Sequence, residues 1–340
     1  MRRIPQRFLL WGLGLIALLS LICFFFLGTP PPMETRYGFT WSHPYARELG
    51  LDAYAGYVQA LDELKPDHVR IPAYWSVIEA VRGTYDFREV DAQLDAAAER
   101  DIGVTLVLGS RVPRWPECWE PEWVHALDPA DRYDVQLAYT KALYTRYREH
   151  PAVIAWQVEN ESFFDFYTSC PGLTRSIVLD EMRFVRGEER MRPEEKQRPV
   201  ITTDSGEWSL LAGFSGEVDA LGISVYRAVL TESIGTLSHW YFTPMFYWRR
   251  AHIAQLWAGP IYISEFQMEP WVLQAIQDTT NEEQSKTLDL NRMRDNFQYA
   301  RKLGMPAVDF WGAEWWLWMK EKRGHPEFWE EAKAFFASQD

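Results

Sequence analysis

From residue 36 onward, short apolar runs alternate with longer amphipathic stretches. The runs predict strands at 36–41, 67–71, 103–108, 153–159, 199–203, 218–225, 260–265 and 306–311. Several are rich in Val and Ile with almost no polar alternation, the pattern of parallel strands buried on both faces. The stretches between them predict helices. Asp52 caps one that runs to Leu64 and stops at Lys65-Pro66. Asp86-Phe87-Arg88-Glu89 resembles a capping box opening a helix through Arg100. Further helices are expected at 131–149, 174–190, 244–257 and 326–338, with one long helix at 281–303 capped by Gly304. Only a short turn near 209–212 is available between the fifth and sixth strands.

Eight β-then-α units predict an α/β fold, a single (β/α)8 TIM barrel over 36–340. No composition break divides that region, and no glycine loop of the nucleotide-binding kind occurs in it. Residues 8–27 are different: an uncharged apolar run long enough to span a bilayer. Arg2, Arg3 and Arg7 precede it, so residues 1–7 are expected in the cytoplasm and the barrel outside. The run ends without a small-residue cleavage site, and Ile22 stands before Cys23 where a lipoprotein needs a small residue. The expectation is an uncleaved transmembrane signal anchor at 8–27, followed by a Pro-rich spacer at 28–35; secretion after cleavage is the alternative.

Charge narrows the partners. The net charge is −13, of which the first 29 residues supply +3, leaving −16 on the rest. So acidic a domain does not hold a polyanion, and nucleic acid is excluded as a partner. The chain has 17 Trp. These divide between ordinary packing under long loops and platforms for the apolar face of a pyranose. Cys23 lies inside the apolar run, whereas Cys118 and Cys170 follow strands three and four and can join adjacent loops by a disulfide. Their wide spacing gives no sign of a zinc site, and neither a metal nor a cofactor is expected.

Two strand ends carry the candidate chemistry. Ala155-Trp156-Gln157-Val158-Glu159-Asn160-Glu161 ends the fourth strand, and Ile261-Tyr262-Ile263-Ser264-Glu265 forms the seventh. A barrel presents catalytic groups at the C-terminal ends of its strands. Two carboxylates there, roughly 5 Å apart, suit retaining glycoside hydrolysis. Glu159 rivals Glu161, since alternation puts both on one side; Glu161 is preferred because Asn160 precedes it. Glu269 rivals Glu265 but falls beyond the strand end, where it is expected with Trp271 to contact substrate.

With these residues in place, the chain resembles clan A of the glycoside hydrolases, the retaining barrels that include families 5 and 42. It also resembles bacterial proteins of the cellulase family, over essentially all of 36–320. The resemblance implies Glu161 as acid/base, Glu265 as nucleophile and Asn160 on the sugar 2-hydroxyl. It further implies Tyr226 and Arg70 on the nucleophile and Trp311 as a sugar platform. Arg70 as an ordinary barrel ion pair and Tyr226 as core are the plainer readings. Ser162 replaces the Pro common after Asn-Glu. Ser224 and the strand around Leu108 lack the histidines usual in family 5.

The expected function is a retaining β-glycoside hydrolase acting on an oligo- or polysaccharide by double displacement. The alternatives are a transglycosidase of the same mechanism and a non-catalytic barrel that binds carbohydrate at the cell surface. The stretches Arg111-Val112-Pro113-Arg114-Trp115-Pro116-Glu117-Cys118-Trp119 and Glu314-Trp315-Trp316-Leu317-Trp318 suit either a structural lid or a substrate wall. The Trp115-Pro116-Glu117 phrase and the departures from family 5 favour an exo-acting, family 42-like site.

Overall fold

The computed structural model describes residues 6–163, 170–214, 216–233 and 235–339, without the side chains of 6–10. All eight expected strands form: β1 (Arg36–Thr40), β2 (His68–Pro72), β3 (Gly103–Leu108), β4 (Val153–Val158), β5 (Val200–Asp204), β6 (Ala220–Val225), β9 (Ile261–Gln267) and β10 (Ala307–Trp311). They close in the order β1-β10-β9-β6-β5-β4-β3-β2, every pairing parallel. Their near-complete burial explains the unbroken apolar runs, because helices cover the outside and side chains fill the inside.

One element has no counterpart in the expected pattern. A hairpin of β7 (Ala228–Thr231) and β8 (Gly235–Ser238) leaves the barrel after β6 and stands over its mouth. Its strands are four residues each, too short to register as apolar runs.

Helix starts follow the cap chemistry. Asp52 accepts the Ala55 N–H at the head of α3 (Ala53–Leu64), which follows the short α2 (His43–Glu48). After α4 (Trp75–Ile78), α5 (Arg88–Ala98) begins without the expected capping box. Its N-cap is Phe87, and the Asp86 carboxylate is turned to the Arg88 side chain and amide instead. Asp128 caps α6 (Pro129–Tyr147) and Thr174 caps α7 (Arg175–Arg190). Thr243 caps α8 (Pro244–Ala258). The long helix expected at 281–303 is two helices, α9 (Asn281–Ser285) and α10 (Leu290–Ala300). Two side chains break it: Thr287 bonds both the amide and the carbonyl of Trp271, and Asp289 caps α10 afresh. Gly304 therefore follows the helix end rather than capping it; Arg301 holds that place. The chain ends in α11 (Ala313–Lys322) and α12 (Glu327–Ala337). Trp315, Trp316 and Trp318 are buried on α11, so this stretch is core and not a substrate wall.

At the other end, α1 (Gln6–Phe26) is helical, and Trp11, Leu13, Ile16, Leu18, Leu19 and Ile22 on it are exposed. Its last turn rests on α8, with Phe26 stacked on Phe246 at 5.2 Å and its carbonyl accepting from Thr243. Among the described residues no helix is long and apolar enough to cross a membrane. Residues 1–5, which open the expected basic N-terminus, and the side chains that begin the expected span lie outside the described residues.

Candidate active site

The C-terminal ends of β2, β4, β6 and β9 bring the expected residues to one place. Glu265 is buried near the end of β9. Its Oε1 lies 2.9 Å from Arg70 Nη1, and its Oε2 accepts the Tyr226 hydroxyl at 3.0 Å. Arg70, fully buried on β2, also donates to Asn160 Oδ1 at 2.6 Å and to Gln157 Oε1 at 2.8 Å. One guanidinium thus ties the seventh barrel strand to the fourth. Asn160 Oδ1 further accepts from Thr203 at 2.8 Å, while its Nδ2 is buried with no partner among the described residues. The amide is oriented with a donor to spare.

Glu161 projects from the loop after β4 with φ +44°, a left-handed conformation that costs a non-glycine residue energy. Its amide donates to Thr203 Oγ1 at 2.8 Å, and its Oε1 accepts from Ser224 at 3.0 Å. Ser224 stands in register with Glu265 across the β6–β9 pair, so both carboxylates border the same space. Burial, then the charges of Glu117 and Glu265, hold the Glu161 carboxyl well above the usual carboxylate range, with Arg111 and Ser224 acting against them. The residue best placed to give up a proton is the one the neighbouring anions keep protonated.

Glu159 is elsewhere. A φ of +58° breaks the alternation that made it a rival. Its carboxylate accepts the Ser110 and Arg111 amides at 2.9 and 2.6 Å and the Gln136 side chain at 3.1 Å. Gly109 makes this approach feasible: a Cβ there would lie 2.3 Å from Glu159 Oε1. Burial pushes Glu159 up to about 7 beside Glu181 of α7, itself raised by burial and by the Glu159 charge. Glu159 is an anchor for the loop after β3.

That loop, 109–119, is tied down twice more. Cys118 is joined to Cys170. The buried Arg114 guanidinium reaches both Glu269 and Glu314 and lies between the Tyr45 and Trp311 rings, 4.0 and 4.1 Å from their centroids. This knot relocates two expected substrate contacts. Trp311 is 8% exposed, with Arg114 over its ring and its indole donating to Glu269, and Glu269 is nearly buried. Neither borders the mouth.

The mouth is lined by Glu161, Glu265, Tyr226 and Ser224, together with Trp115, Glu117 and Trp271. Trp271 packs edge-on against Tyr226 at 5.3 Å. Ser205, Glu207, Trp208, His239 and Val229 of β7 complete it, and the sequence pattern singled out none of these five. The only signal was topological: Ser205, Glu207 and Trp208 follow β5, Val229 lies in the hairpin and His239 follows it.

No protein-family model matches the chain, and no curated protein does either. Solved structures do. GH5_18 from Streptomyces cattleya in complex with GlcNAc aligns at TM-score 0.55 and 17% identity, over 83% of this chain and 71% of that one. A beta-galactosidase from the psychrophilic Marinomonas ef1 aligns at TM-score 0.56 and 14% identity, over 81% and 54%. An exo-beta-1,4-mannosidase from Opitutaceae bacterium strain TAV5 gives TM-score 0.58 and 15% identity, over 93% and 62%. The chain therefore spans about half of the beta-galactosidase and just over two thirds of GH5_18. At these identities the likeness is one of fold, and the fold is this chain's closed eight-stranded parallel barrel.

Proposed function

We infer that this protein is a retaining β-glycosidase. The observation that carries the reading is the contrast between its two carboxylates. Glu265 has a donor on each oxygen, one of them a cation, as an anionic nucleophile needs. Glu161 has its proton held on by burial and by neighbouring anions. In the reaction, Glu265 Oε attacks the anomeric carbon as the glycosidic bond breaks and Glu161 protonates the departing oxygen. The glycosyl-Glu265 ester is then cleaved by water, whose proton passes to the Glu161 carboxylate. Arg70 and Tyr226 hold the nucleophile, and Asn160 Nδ2 is the donor available to the sugar 2-hydroxyl. The chemistry asks for no cofactor.

The fold neighbours support a carbohydrate partner, since GH5_18 is solved with GlcNAc. A transglycosidase would use the same groups and differ only in the acceptor. A non-catalytic sugar-binding barrel has no need of so contrasted a carboxylate pair. The exposed apolar side chains of α1 support a location at a membrane, and Arg2, Arg3 and Arg7 ahead of the apolar run support the barrel lying outside the cytoplasm. Fractionation of cells producing the full chain tests that part: recovery in the soluble fraction contradicts it.

The mechanism is tested by following hydrolysis of aryl β-glycosides (glucoside, galactoside, mannoside) by proton NMR. A retaining enzyme forms the β-anomer first, with the α-anomer appearing by mutarotation. An α-anomer as first product contradicts double displacement.

A further inference from the structure

The mouth extends past the two carboxylates in one direction. Besides Ser224 and Tyr226, its walls come from the loops after β3, β5 and β9 and from the hairpin, whereas the loops after β1, β2 and β10 contribute nothing to it. On that other side the Arg114, Glu269 and Glu314 knot fills the barrel top.

The open side carries acceptors without protein partners. Glu207 Oε1 receives the Tyr226 amide at 2.8 Å and the Tyr247 hydroxyl at 2.6 Å, and Oε2 has no protein partner among the described residues. His239 Nδ1 lies 2.7 Å from the Tyr226 carbonyl. A carbonyl only accepts, so Nδ1 carries the proton and Nε2 is left as an acceptor. That Nε2 is buried and unpartnered among the described residues. Burial holds the His239 pKa below its ordinary value, which keeps the ring neutral. Trp208, next to Glu207 in the chain, is 51% exposed, with its ring 5.8 Å from His239. An unpaired buried acceptor such as His239 Nε2 is costly, and an exposed ring beside it is the usual partner of a pyranose face.

The position of this wall defines what it receives. Glu207 and Trp208 follow β5, the strand next to β4 and its acid Glu161, while His239 follows the hairpin that leaves β6; the acid marks where the leaving group departs. We propose that Glu207, Trp208 and His239 form a subsite for the leaving sugar of a neutral oligosaccharide, the ring lying on Trp208 and its hydroxyls donating to Glu207 and His239. This rests on the glycosidase reading of Glu161 and Glu265. A uronic acid would set its carboxylate against these acceptors, so acidic glycans are poor substrates.

The test compares matched substrates on the full chain: p-nitrophenyl β-mannoside, β-galactoside and β-glucoside beside mannobiose, lactose and cellobiose. Glu207→Gln and Trp208→Ala are each expected to lower the disaccharide-to-aryl ratio of kcat/KM at least tenfold, through KM. A ratio within twofold of wild type in both variants overturns the subsite. If the wild type cleaves no glycoside, the glycosidase reading fails instead. The subsite is then decided by calorimetric titration of the Glu265→Ala protein with the same disaccharides. Binding lost on adding Glu207→Gln or Trp208→Ala upholds it, and binding unchanged by both, or absent from the start, overturns it.

Discussion

Arg70 and Glu265 meet at 2.9 Å inside the barrel, and the same guanidinium holds Asn160 at 2.6 Å, so one cation positions both the proposed nucleophile and the proposed 2-hydroxyl contact. Replacing Arg70 by Met strands a buried carboxylate. Such a loss costs about 3–5 kcal/mol of stability. We expect kcat/KM to fall by about a hundredfold or more in the protein that still folds, on the scale of losing one strong electrostatic contact. Arg70→Lys restores the charge but not the fork, and is expected to recover only part. Urea unfolding and kinetics on the two variants check this.

As the proposed acid, Glu161 must be protonated. Its folded pKa lies above the ordinary value, so activity is retained as pH rises past the usual carboxylate range and is lost as pH passes the raised value. The Glu117 charge is the largest cause after burial. Glu117→Gln removes that anion and releases its ion-pair partner Arg111, and both effects favour ionised Glu161. The alkaline limb of kcat/KM is expected to move to lower pH, by about one unit. A limb that stays in place denies Glu117 its part, and one that moves upward reverses the sign.

The Cys118–Cys170 bond closes a separation of 52 residues and lies one residue from Glu117. In the chain-entropy account a loop of that length stabilises the fold by about 4 kcal/mol. Intact mass after alkylation without reductant is expected to show one labelled thiol, Cys23, and three after reduction. Cys118→Ser is expected to lower the melting temperature. It also loosens the loop that carries Glu117, so kcat/KM should drop severalfold. Full labelling without reductant contradicts the pairing.

The sequence made the barrel legible because its strands are buried on both faces, and apolar runs of five to seven residues are what such burial leaves behind. The hairpin was invisible for the opposite reason. Ala228–Thr231 and Gly235–Ser238 are half exposed, short and compositionally ordinary. The helix break at Thr287 depends on a bond to Trp271, sixteen residues away, which no local pattern reveals. Glu161 and Glu265 could be placed at the mouth because each stands near or just past the end of an apolar strand. Trp311 was read as a platform because strand position says nothing of Arg114, which reaches its ring from a loop nearly 200 residues earlier. Glu207, Trp208 and His239 were missed likewise: chain order places their loops near the mouth, but only tertiary contacts turn their side chains into it.

The central claim is that Glu265 is the nucleophile of a double displacement, and Glu265→Ala with added azide tests it most directly. The account predicts that the variant loses essentially all activity on an aryl β-glycoside that the wild type cleaves. Azide should then restore turnover by entering the space the carboxylate vacates, giving the α-glycosyl azide. A variant that keeps wild-type activity, or an azide product of β configuration, contradicts it.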